Sequence, residues 1–187
     1  MKTVIISQEV FVAMRKKAEH HIKGFNGTGY GHNDVDPQIM AWMSEYAVRN
    51  LYREGGINCH QNINDPDSPD LTIPAHNTLS THVGQTGRHE EVKCWKAGYS
   101  WSNFGCTVRP FHAEKYERKG RARVWFCEVD MIALTVVVHG WATPADILQS
   151  EIIETGGRYG ALNHKVEVLN KIHEVMAWVV YDKDGWF

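Results

Sequence analysis

Helices first, a mixed β-sheet in the middle and a helix after it: the sequence predicts an α/β or α+β fold with a mixed central sheet flanked by helices. Three observations predict it. Apolar residues recur at helical spacing over the N-terminal part of the chain, and β-rich runs follow at residues 91–94, 124–129 and 134–139. A Thr-Pro helix start then comes directly after the last run, at Thr143.

Taken in order, residues 8–23 read as a helix, with Val10, Phe11, Met14, Ala18 and Ile22 at roughly helical spacing. The Gly-rich segment 24–33 reads as a loop, because it has neither the Lys-Ser/Thr nor the preceding strand of a phosphate loop. A second helix starts at Asp36, which can cap, and Pro37, which suits the first helical position. Ile39, Met43, Ala47 and Leu51 form its apolar stripe, Glu45 lies on a different face, and Gly55-Gly56 ends it. Residues 58–80 are rich in Asn, Asp, Pro and Ser and read as loop or short strand. The runs 124–129 and 134–139 are expected to be two strands with a turn at Asp130. Thr143-Pro144-Ala145-Asp146 sets an acid three residues after a Thr cap, and that helix is expected to run to residue 154 and stop at Gly156-Gly157. The tail alternates weakly through Val166 and Val168 and reads as an edge strand or a short helix. No repeat or linker interrupts the chain, which reads as one domain over residues 1–187 with its core at 36–155.

A chain of 187 residues can bury a core without disulfides or metal staples. Its seven Trp point to a broad aromatic surface or a large core. The apolar run at the N-terminus is far too short for a signal peptide, and nowhere do about 18 apolar residues run together. A cytoplasmic protein without a membrane partner is therefore expected. Cys59, Cys94, Cys106 and Cys127 form no CxxC pair and read as buried free thiols. A net charge of −2 argues against binding nucleic acid by bulk electrostatics alone. Lys115, Arg118, Lys119, Arg121 and Arg123, with Lys93, Lys96 and Arg109 upstream, still leave a local basic stretch, of the sort that is often just a solvated face.

The segment that carries chemistry is Ser68-Pro69-Asp70 followed by Glu91-Val92-Lys93. In an extended strand alternate side chains share a face, so Glu91 and Lys93 point the same way, about 7 Å apart. If Asp70 sits on a neighbouring strand, its carboxylate can meet that of Glu91. Two hard oxygen ligands, completed by waters and a substrate phosphate, make a Mg²⁺ site, and Lys93 beside it can orient water or offset developing negative charge. That chemistry suits phosphodiester hydrolysis. The ExK pattern alone is weak: Glu117-Arg118-Lys119 repeats it in a polar stretch without β character, and Pro66-Asp67 competes with Pro69-Asp70. Asp70 is preferred because Leu71, Thr72 and Ile73 continue it as a strand.

The order of Glu45 on an early helix, Pro69-Asp70, Glu91-Val92-Lys93, a strand, and a His139-Gly140-Trp141 turn into a Thr-Pro capped helix resembles the PD-(D/E)xK nuclease superfamily. It looks most like the small phage-type or restriction-endonuclease-like members. The resemblance implies a restriction-endonuclease-like core and a Mg²⁺-dependent endonuclease acting on DNA, with Mn²⁺ able to replace Mg²⁺, in a bacterial or phage-infected cell. It also implies that Glu45, Asp70 and Glu91 hold the metal and that Lys93 aids catalysis. Cutting both strands of a duplex would call for a homodimer, which supplies a second site by two-fold symmetry. Two rival readings remain. Cys59-His60, or Cys106 with His112, could hold zinc, although the spacings match no standard finger. The same fold could instead hold nucleic acid without cutting, with Trp95, Tyr99, Trp101 and Phe104 stacking bases or simply filling the core.

Overall fold

The computed structural model describes residues 1–23, 35–62, 68–74, 88–98, 104–155 and 162–166, with the side chains of 21–23 left aside. The first strand, β1 (Lys2–Ile5), leads into α1 (Gln8–Lys23), the helix its apolar spacing predicts. Helix α2 (Val35–Glu54) starts one residue before the predicted cap, with Asp36 in its first turn, and ends as expected where Gly56 takes a φ of 79°. That left-handed conformation is open to Gly at little cost, and it turns the chain toward β2 (His60–Gln61) and β3 (Leu71–Ile73).

Strand β4 (Arg88–Lys96) extends the predicted run in both directions. After it come β5 (Cys106–Val108), α3 (Pro110–Arg118), β6 (Arg123–Asp130) and β7 (Thr135–Ala142). The turn between β6 and β7 is closed by Asp130, whose Oδ1 accepts from the backbone N–H of Ile132 and Ala133. Helix α4 (Pro144–Gln149) opens with the predicted capping box: Thr143 Oγ1 accepts from Asp146 N–H while Asp146 Oδ2 accepts from Thr143 N–H. Two short strands, β8 (Ile152–Glu154) and β9 (Leu162–Val166), follow.

Among the described residues the main sheet has six strands, in the order β1-β7-β6-β4-β3-β2. It is mixed: β4 and β6 are parallel, and the other neighbours are antiparallel. A parallel pair needs a crossover, and β5 and α3 supply it. A second sheet, β5-β9-β8, forms from the strand within that crossover and the last two strands. This is an α+β architecture. Alternation along β6 feeds two cores: Trp125, Cys127 and Val129 pack toward α2, while Val124 and Phe126 pack toward Ala113 and Tyr116 of α3 and Ile147 of α4. With both faces covered, the strand reads as a nearly unbroken apolar run.

Two sequence expectations are corrected. Helix α4 ends at Gln149 instead of residue 154. Ser150 closes the last turn with both its N–H and its hydroxyl on the Ile147 carbonyl, and the β-branched pair Ile152-Ile153 joins β9. His139-Gly140-Trp141 is not a turn but part of β7. There the register shifts, pairing Phe126 with Gly140 and Cys127 with Val138, so His139 is the extra residue of a bulge. The loop expected at 24–33 and residues 63–67 and 75–80 of the segment read as loop or short strand, together with Tyr99, Trp101, Val168 and Gly156-Gly157, lie outside the described residues. Among the described residues no helix is long and apolar enough to cross a membrane.

Candidate active site

Strand β4 carries two adjacent acids, and the pleat sends them to opposite faces. Glu90 points with Val92 and Cys94 toward α2, where it is fully buried. Its Oε2 accepts from Tyr52 Oη and Trp125 Nε1, both at 2.6 Å, and Arg123 Nη1 lies 3.4 Å from its Oε1. This is a closed structural network. Glu91 points the other way with Lys93, as the alternation predicts.

Strand β3 pairs with β4 only through Leu71–Glu90, Thr72–His89 and Ile73–Arg88. Continuing that register by one residue sets Asp70 across from Glu91. Asp70 Oδ2 accepts the Val92 N–H at 2.7 Å, so its carboxylate takes the ladder position where β3 stops pairing. Asn62 steadies this corner, donating to the Pro69 carbonyl at 2.7 Å and to Thr72 Oγ1 at 2.9 Å.

Glu45 enters from α2. Only 6% of its surface is exposed, and its Oε2 accepts from Gln61 Nε2 at 2.7 Å. Burial, then the Asp70 charge beside it and, more weakly, that of Glu91, push its carboxyl well above the usual range, against the pull of Gln61 and Lys93. Burial and Asp70 also raise Glu91, while Lys93 and Arg121 pull it down. The fold therefore brings all four predicted residues, Glu45, Asp70, Glu91 and Lys93, within one another's electrostatic reach.

Lys93 sits over the Tyr116 ring, 5.3 Å from its centroid, and hydrogen-bonds the phenol oxygen. Burial works against its ammonium, but Tyr116, Asp70 and Glu91 outweigh it and hold the pKa above the ordinary lysine value. The ammonium form of Lys93 is thereby favoured, which suits a cation and hydrogen-bond donor better than a base.

Glu91 does not stand open to solvent: it is 7% exposed and accepts a 2.6 Å hydrogen bond from Arg121 Nε. Arg121, read from sequence as one charge in a solvated run, is itself buried. Tyr116, Gln61 and Arg121 are the site residues that sequence reasoning missed. The competing Glu117-Arg118-Lys119 closes α3, away from any strand. Trp95 stacks on Phe126 at 5.9 Å and belongs to the core. All four Cys are free thiols, three of them buried, and burial pushes Cys59 up to about 12.

Among the described residues no group of three or more His, Cys, Asp or Glu side chains is arranged as a metal-holding set. Mg²⁺ needs no such cage, since it is usually held by one or two carboxylates plus water and substrate oxygens. The residues present offer hard oxygen donors to such an ion: Glu45, Asp70 and Glu91 lie within one another's electrostatic reach, and burial, then the Asp70 charge, raises both Glu45 and Glu91.

That crowding has a measurable sign. With a folded pKa above its unfolded one, Glu45 binds more protons in the native state, so its contribution to stability falls as pH rises past the ordinary glutamate range. Glu45→Gln should therefore gain stability relative to wild type between about pH 5 and about pH 8 in metal-free protein. Chemical denaturation of both proteins at the two pH values measures it. A gap that stays constant or moves the other way contradicts the crowding.

Comparison with protein-family models and with curated proteins finds no match to this chain.

Proposed function

We propose that this chain is a Mg²⁺-dependent deoxyribonuclease of the PD-(D/E)xK type, with a restriction-endonuclease-like core over residues 36–155, from α2 through the main sheet to α4 and β8. The observation that carries this reading is the junction of β3 and β4. Asp70 is tied to the backbone of the strand that presents Glu91 and Lys93, with Glu45 closing the cluster from α2. The crossover through α3 to a parallel β6 adds support, because it packs Tyr116 against Lys93.

When bound, a divalent cation supplies charge neutralisation at the phosphate and a water of lowered pKa. Glu45, Asp70 and Glu91 are the residues that would hold it. Asp70 is fixed by its hydrogen bond to Val92, so little side-chain order is lost when it binds a ligand. Lys93, held charged, offers N–H donors to a phosphate oxygen or to the attacking water. Tyr116 orients that ammonium from below.

The rival reading, a module that holds nucleic acid without cutting it, needs no such arrangement of acids and lysine. Supercoiled plasmid incubated with purified protein should be nicked with Mg²⁺ or Mn²⁺ and left intact with chelator. Binding without nicking under every metal condition would favour the rival.

A further inference from the structure

Helix α3 sets a cationic surface beside the carboxylate cluster. His112 and Lys115 lie three residues apart, on neighbouring positions of one side of the helix, and Arg109 is the extended N-cap residue just before it. The His112 ring stacks on Tyr116, 6.1 Å between centroids and 18° between planes. Tyr116 in turn carries the Lys93 ammonium. This run of contacts ties the cationic side of α3 to the reactive centre. Phe111, 65% exposed, meets the His112 ring edge-on at 5.6 Å. The first turn of α3 holds no acid, and Glu114, two residues from His112 and exposed, points off that side.

We infer that Arg109, His112 and Lys115 form a phosphate subsite for the substrate strand, holding a phosphodiester next to the one that reaches Lys93. The inference rests on the nuclease reading for its nucleic-acid ligand. Its chemistry comes from this chain. A half-buried imidazole lies among three cations, Lys93 on β4, Lys115 on α3 and Arg109 at the N-cap of α3, with Tyr116 against its face. Burial and then these three cations hold its pKa below the ordinary histidine value. An anion held by the same groups relieves that repulsion and strengthens the N–H donors that face it. The backbone phosphates of a nucleic-acid strand offer such an anion at each nucleotide, which lets one strand span both this subsite and Lys93.

The test uses the full chain without metal, so that binding is read apart from cleavage. The ring signals of His112, assigned with His112→Phe, are followed by NMR against pH, alone and with a short oligothymidylate or inorganic phosphate. The oligothymidylate is expected to raise the His112 pKa, and Arg109→Gln and His112→Phe are each expected to weaken its binding by about tenfold. Arg109 is exposed, so its replacement leaves the fold intact. If inorganic phosphate moves His112 and the oligothymidylate does not, the site takes a free phosphate and the strand subsite is overturned. If neither moves His112, or the variants bind as wild type does, the subsite is overturned as well. Mg²⁺-dependent nicking by the same preparation then shows whether the nuclease reading survives that loss.

Discussion

Lys93→Met is expected to lower kcat for cleavage by about 10²–10⁴, the range that follows loss of an electrostatic or acid–base group at a reacting centre. The substitution keeps the bulk of the stem against Tyr116 and removes the charge that Asp70 and Glu91 sustain. The fold should survive. Metal affinity should hold or rise, because a cation facing Glu45 and Glu91 has gone. Single-turnover cleavage with metal titration by calorimetry separates these effects. Two results would sink the assignment: full activity in Lys93→Met, or an equal loss from Lys119→Met on α3.

The largest effect on stability is expected one residue away from the site. Glu90→Ala removes the shared acceptor of Tyr52, Trp125 and Arg123 in the interior, and breaking a buried pair in this way costs about 3–5 kcal/mol. Glu91→Ala also removes the acceptor of the buried Arg121 Nε, but it lifts like-charge repulsion from Asp70 and Glu45. It should therefore destabilise less than Glu90→Ala, even though it should lose cleavage altogether. Glu91→Gln keeps an acceptor for Arg121 and is the cleaner probe of chemistry. Urea denaturation of the three variants ranks them. A Glu91→Ala protein less stable than Glu90→Ala would mean that the Arg121 pair outweighs the relief of crowding.

These neighbours show what a sequence can and cannot reveal. The alternation Glu91-Val92-Lys93 is local, so the shared face of the acid and the lysine could be read from the pleat alone. Asp70 was singled out because Leu71, Thr72 and Ile73 continue it as a strand, whereas Glu45, on a different face from the apolar stripe of its helix, was reached only through the family resemblance. Thr143 and Asp146 form a capping box that depends on four consecutive residues, and it was found where predicted. Arg121 looked like one charge in a basic run because its partner lies on a strand that becomes its neighbour only when β4 and β6 pair in parallel. Gln61 and Tyr116 were hidden for the same reason, since each acts across a contact made by tertiary packing. Glu90 did leave a signal. It falls at the same parity as Val92 and Cys94, and an acid on the apolar face of a strand must find buried donors. The end of α4 was misread because a polar stretch after a good cap resembles a continuing helix, while the pairing of β8 with β9 is again long-range.

Asp70, tied to the Val92 N–H beside Glu91 and Lys93, is the residue whose replacement tests the proposed site most directly. In the plasmid-nicking assay with Mg²⁺, Asp70→Asn should retain the fold, because an amide oxygen can still accept the Val92 N–H, and should abolish nicking. Asp67→Asn, altering the competing Pro-Asp, should nick at the wild-type rate. Wild-type nicking by Asp70→Asn, or its loss in Asp67→Asn alone, would contradict the site.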